Sequence, residues 1–137
     1  MGIIPITILY AGLFGLLAVF LSVRVSFARA RLDVEFGDGG DAGLQTRIRV
    51  FGNFSEYVPL MLVLFLVLEL AHTREILLHA IGLSLLAMRV LHAVSLKVDK
   101  KPVPWRRMGR FVSALGTLLI LLGMSLLLIK PYVVSIF

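Results

Sequence analysis

"RIRVFGNFSEYVPLMLVLFLVLEL", residues 47–70, joins two kinds of sequence in one run. Its first half crowds Arg47, Arg49, Asn53, Glu56 and Tyr57 into eleven residues. From Val58 onward it is close to pure hydrocarbon until Glu69. A helix rises about 1.5 Å per residue, so roughly 20 apolar residues cross a hydrocarbon core of about 30 Å. The apolar half is too short for that by itself. It reaches spanning length only if the helix starts near Leu44 and carries its polar residues to the membrane boundary. The segment therefore predicts a membrane helix over about 44–71 with one polar, basic end.

Three further apolar stretches, Ile3–Phe27, Ile76–Leu96 and Phe111–Ile129, meet the length of a span unaided. The 137 residues are 59% hydrophobic with a mean hydropathy of +0.99, well above a soluble domain of this size. The expectation is an all-α, integral membrane four-helix bundle, one domain over 1–137, with helices at about 3–31, 44–71, 75–97 and 105–130. The first run is long and has no basic leader, so it reads as a retained span and not a cleavable signal peptide. Pro5 suits a first helical turn. Gly12 and Gly15 would admit a close neighbour. "FGDGGDAG", residues 36–43, is a loop that lacks the ligand pattern of a calcium site and the lysine of a phosphate loop. "HTRE", residues 72–75, is a minimal turn that would make helices 2 and 3 antiparallel neighbours. "KVDKKPVPW", residues 97–105, is a basic loop stiffened by Pro102 and Pro104.

Charge placement gives the orientation. Of the 14 basic residues, Arg24, Arg29, Arg31, Arg47 and Arg49 flank the first connection. Arg89, Lys97, Lys100, Lys101, Arg106, Arg107 and Arg110 flank the third, and only Arg74 and Lys130 belong to the other side. The positive-inside rule places the basic end in the cytoplasm and both termini outside. Charge that flanks spans, as here, argues against nucleic acid as a partner; attraction to anionic headgroups accounts for most of it. There is no cysteine, so a thiol in any chemistry must come with a ligand. His72, His79 and His92 lack ligand spacing with a carboxylate, so no metal is expected. Trp105 reads as an interface anchor, and Glu69 and Glu75 as solvated residues near the other surface.

On helix 2, Gln45, Arg49, Asn53, Glu56 and Tyr57 fall within one sector of about 120°. Val50, Phe54, Val58 and Met61 lie opposite. A charge at membrane depth costs roughly 2.5–3.5 kcal/mol on insertion scales, so such a stripe faces a partner, water or a ligand. An internal ion pair, Glu56 with Arg49 or with Arg89, accounts for the carboxylate and one arginine. It does not account for the amides and the phenol in the same sector, nor for the surplus of arginine at the basic helix ends. Excess guanidinium beside carboxylate, amide and phenol suits a small anion that also carries an amine, because arginine grips carboxylates bidentately. Glutathione has that profile: two carboxylates, one amine, two amides and a thiol. His92, three residues from Arg89 on the same face, is a packing residue or lines the site.

The run "RVFGNFSEYVP" resembles the signature of the MAPEG family, membrane-associated proteins in eicosanoid and glutathione metabolism, with Arg49, Asn53, Glu56, Tyr57 and Pro59 matching in type and spacing. "FGDGGDAGLQTRIRV" and "RVLH" at 89–92 resemble its small bacterial branch, and the whole is similar to microsomal glutathione transferase. The resemblance implies a homotrimer that binds glutathione between subunits near the cytoplasmic leaflet. It implies Arg49, Asn53, Glu56 and Tyr57 as contacts, joined by Arg29; Gln45, Arg89 and His92 complete the candidate glutathione-binding set. In the leukotriene-synthase branch a helix 4 arginine activates the thiol; here the candidates are Arg110, Arg107 and Arg106, with Arg110 favoured as the one deeper in the span. His92 and Leu96 replace tyrosines of that branch, which points to a general glutathione transferase or peroxidase. The implied partners are glutathione as co-substrate, a lipophilic electrophile or lipid hydroperoxide, and the lipid bilayer of a bacterial inner membrane. Two other classes compete. A non-enzymatic lipid-binding scaffold of the same family would keep the bundle without activating a thiol. A transporter or channel would need a polar stripe across the whole bilayer, which Met61–Leu68 does not offer.

Overall fold

The structure, a computed structural model, describes residues 4–97 and 103–134. Four helices follow one another: α1 (Pro5–Leu32), α2 (Ala42–Leu70), α3 (Glu75–Ser95) and α4 (Pro104–Val134). All four are long and apolar enough to cross a membrane. Each runs antiparallel to its neighbour in sequence: Ile6 lies beside Glu69, Arg89 beside Asn53 and Thr117 beside Arg89. α1 packs mainly on α2 and α3 mainly on α4, and α2 links the two pairs.

The helix ends have local causes. Pro5 occupies the first turn of α1, where its missing N–H costs nothing. Asp33 ends α1 in the left-handed region at φ 54°, and Gly37, Gly39 and Gly40 turn the chain at positive φ. Asp41 caps α2: its carboxylate accepts from the backbone N–H of Leu44 at 2.6 Å. Between α2 and α3 the chain reverses through His72 at φ 56°. α4 runs past Pro131 to Val134 and does not stop at the proline as expected. Part of the expected 97–105 loop, including Lys100, Lys101 and Pro102, lies outside the described residues, as does Ile3.

The core is the face of α2 opposite the polar stripe. Val50, Phe54, Val58, Met61, Phe65 and Leu68 are all buried there. Tyr10 meets Phe65 edge-on with centroids 5.6 Å apart, and Phe14 meets Phe54 at 6.4 Å. Outward, α1 and α4 expose long apolar faces, among them Leu16, Phe20, Phe27, Leu118, Leu119 and Leu122. In water such surface would be a liability; in hydrocarbon it is the solvent-facing side.

Two expectations are corrected. The close helix approaches are not at Gly12 and Gly15, where an added Cβ would meet nothing within 4 Å. They are at Gly82, where a Cβ would strike the Tyr10 ring, and at Gly109 and Gly116, which let α4 lie against Ser95 and Met88 of α3. Glu69 is buried, not solvated. Its carboxylate accepts the backbone N–H of Ile6 at 2.9 Å and of Thr7 at 2.6 Å. Those are orphan donors of the first turn of α1, at the positive end of the helix dipole, so a carboxylate from another helix serves as the cap.

Candidate functional site

The polar stripe of α2 does not face the core. Gln45, Arg49 and Glu56 are exposed, and Asn53 and Tyr57 are half-buried. Beside the stripe, at the basic end, α2, α3 and α4 leave a cleft of about 480 Å³, within the size range of small-ligand sites. Arg49 and Asn53 enter it from α2, His92 from α3 and Leu96 from just past its end, and Arg107, Arg110, Phe111 and Ala114 from α4. Three arginines line it and no carboxylate does. Glu56 stands beside it, with Oε1 3.6 Å from Arg49 Nη1 across an exposed ion pair. With three arginines and no carboxylate in its lining, the cleft is strongly cationic.

Behind the cleft lies Arg89, only 3% exposed. Its Nη1 donates to Asn53 Oδ1 at 2.9 Å, and its Nη2 donates to Thr117 Oγ1. The Tyr57 ring stands 5.9 Å from the guanidinium carbon. Thr117 in turn donates to the Ser113 carbonyl at 2.7 Å. Arginine has only donors, so Asn53 must turn its oxygen inward to Arg89. That leaves the Asn53 Nδ2 group as a donor for whatever fills the cleft. Arg89 Nε is buried without a hydrogen-bond partner among the described residues. Arg89 is therefore a support beneath the cleft and not part of its lining.

The fold thus brings together Arg49, Asn53, His92, Arg107 and Arg110. It sets Arg89 and Tyr57 behind them and Glu56 beside Arg49. It does not bring Arg29 or Gln45 to this cleft within one chain. Arg29 donates to the Glu35 carbonyl at 3.0 Å and lines a separate hollow with Asp33 and Glu35. Gln45 stands exposed in the first turn of α2. Arg106, the third helix 4 candidate, lies against Trp105 with its guanidinium carbon 5.3 Å from the ring. His79 is at the opposite end, within 3.3 Å of the Tyr10 hydroxyl. Among the described residues no group of three or more His, Asp or Glu side chains could hold a metal ion. The hydroxyls of Ser113 and Thr117, both buried, were not singled out by sequence reasoning. Their signal was available: two hydroxyls four residues apart, on one face of an apolar helix.

Over 118 residues, 86% of this chain and 88% of the relative, the sequence is 35% identical to inner membrane protein YecN of Escherichia coli strain K12. The same identity and coverage hold for inner membrane protein YecN of Escherichia coli O6:H1 strain CFT073. No solved structure matches the chain significantly. The model of the MAPEG family matches residues 7–129, which takes in all of α2 and α3 and most of α1 and α4. With four membrane-length helices and a family match over nearly its whole length, the chain belongs to the MAPEG family.

Proposed function

We propose that the chain is a membrane-bound glutathione transferase that also reduces hydroperoxides, working as a homotrimer in a bacterial inner membrane. The observation that carries this reading is the cleft in which Arg49, Asn53, His92, Arg107 and Arg110 converge without a lining carboxylate. Its donors fit the tripeptide. Arg49 offers a fork for a carboxylate. The Asn53 Nδ2 group, fixed by Arg89, offers a donor for a peptide carbonyl. Glu56, held only by an exposed ion pair, is free to exchange Arg49 for an amino group. Phe111 and Ala114 give the cleft an apolar wall at the membrane boundary, suited to a lipophilic second substrate arriving from the bilayer.

Glutathione would supply the nucleophile: its thiolate sulfur bonds to carbon as a leaving group departs, or takes the terminal OH of a hydroperoxide as the O–O bond breaks, giving a sulfenic acid and an alkoxide that picks up a proton to leave as the alcohol, after which a second glutathione converts the sulfenic acid to the disulfide and water. A free thiol has a pKa near 8.5, and a neighbouring cation lowers it. Arg110, with Arg107 as its rival, provides that cation and acts as the catalytic residue. Its charge is fixed before the reaction begins, and the apolar surroundings strengthen its pull on the sulfur.

What one chain leaves unfinished supports an oligomer, and the family resemblance sets the number of subunits at three. Arg29 and Gln45 stand away from the cleft, and Arg49 and Glu56 lie exposed at the boundary of a membrane. A neighbouring subunit would cover the stripe and add Arg29 to the site. The distribution of basic residues puts the site near the cytoplasmic leaflet with both termini outside, and the names of the relatives support an inner-membrane location. The test is turnover of the detergent-solubilised protein with glutathione and an aromatic halide electrophile, with thiolate absorbance followed in parallel. Glutathione-dependent conjugation is expected. Failure to bind glutathione overturns the reading, and binding without turnover moves the chain to a non-enzymatic role.

A further inference from the structure

The cleft is not the only cationic hollow at the basic end. A second one, of about 290 Å³, opens between α1, α2 and the end of α3. Arg24 comes from α1, Arg47 and Thr46 from α2, and Lys97 from just beyond α3. Leu21 and Val50, both buried, and half-buried Leu96 line its apolar side. No carboxylate lines it. Leu96 alone is shared with the cleft, so the two hollows lie on different sides of α2.

Two of the cations have contacts that place them. Arg47 Nη1 donates to the Arg24 carbonyl at 3.4 Å, which seats Arg47 across the α1–α2 seam. The Arg24 guanidinium carbon lies 5.6 Å from the Phe20 ring, and Phe20 is exposed on the outer face of α1. Their depth is the boundary of the hydrocarbon. Arg24 is nineteen residues beyond Pro5, about 29 Å along α1 at helical rise, and the hydrocarbon core is about 30 Å thick. Three cations from three elements therefore meet where lipid phosphates lie, above an apolar floor and beside an exposed apolar helix face.

We propose that this hollow binds the phosphate of an anionic phospholipid, with its acyl chains along the exposed Leu16 and Phe20 side of α1. Arg24, Arg47 and Lys97 hold the phosphate, while the Thr46 hydroxyl is committed to the Ala42 carbonyl at 2.8 Å and takes no part. Basic pockets between spans at this depth are the usual form of such sites. The proposal does not depend on the glutathione reading, because it uses none of the charged residues of the cleft.

The test is native mass spectrometry of delipidated protein in a mild detergent, titrated separately with phosphatidylglycerol, phosphatidylcholine and glycerol phosphate. Phosphatidylglycerol should bind about ten-fold or more tightly than phosphatidylcholine, and the Arg24→Gln/Arg47→Gln double variant should lose that preference. Lys97→Gln, which lies outside the helices, should reduce it several-fold and serves as the test if the double variant does not fold. Glutathione affinity should be unchanged in all variants. Equal binding of the two lipids, or a preference that survives Lys97→Gln and the double variant alike, would overturn the site. Glycerol phosphate binding as tightly as the lipid would overturn the lipid source. A parallel loss of glutathione affinity would merge the two hollows and overturn the proposal.

Discussion

Replacing Arg49 by alanine separates the binding role of the cleft from its structural role. It pairs with Glu56 at 3.6 Å, with the two side chains 67% and 52% exposed. Exposed pairs of that kind contribute about 0–1 kcal/mol to stability after screening. Arg49→Ala should therefore leave the fold and its thermal unfolding essentially unchanged. A charge-assisted contact to a ligand carboxylate is worth about 1.5–3 kcal/mol, so glutathione affinity should fall about 10- to 150-fold. Glu56→Ala should act differently if Glu56 holds the ligand's amine. Removing it also frees Arg49 from a competing acid, so part of the loss is returned and the drop should be smaller. Isothermal calorimetry on the detergent-solubilised protein reads both affinities, and unfolding in the same detergent reads stability. Unchanged affinity in both variants would refute the site. Loss of the folded protein in Arg49→Ala would refute the reasoning from exposure, since it would mean that the ion pair is structural.

Arg110→Ala should lower turnover while leaving most glutathione affinity intact, and it should move the pH–rate profile upward as the bound thiol returns towards its free pKa; Arg110→Lys should recover part of the rate, because a point charge suffices for a thiolate. Arg89→Met should weaken glutathione binding about five-fold, the equivalent of about 1 kcal/mol, although Arg89 does not line the cleft. That loss should vanish in an Asn53→Ala background, since the effect runs through the Asn53 amide. Glu69→Gln replaces one acceptor oxygen with a donor facing a backbone N–H, so it should destabilise the bundle by about 2–4 kcal/mol and raise hydrogen exchange at the first turn of α1, with no change in glutathione affinity.

The sequence by itself determined the number of spans, their approximate ends and the basic end of the bundle. In hydrocarbon a helix must satisfy its own backbone, so length and hydropathy are local facts that one segment carries alone. The polar sector of α2 was equally legible, because helical periodicity orders Arg49, Asn53, Glu56 and Tyr57 without reference to any other helix. What periodicity does not contain is which neighbour a residue meets. Arg89 and Glu69 look alike in sequence, single charges near the ends of apolar runs. Only the packing shows that one anchors Asn53 and Thr117 beneath the cleft while the other caps α1 from across the bundle. The glycines make the same point. Gly12 and Gly15 face open space, whereas Gly82, Gly109 and Gly116 sit where another helix passes too close for a Cβ. Burial, capping between helices and close approach are relations between segments distant in the chain, and they exist only once the helices have docked.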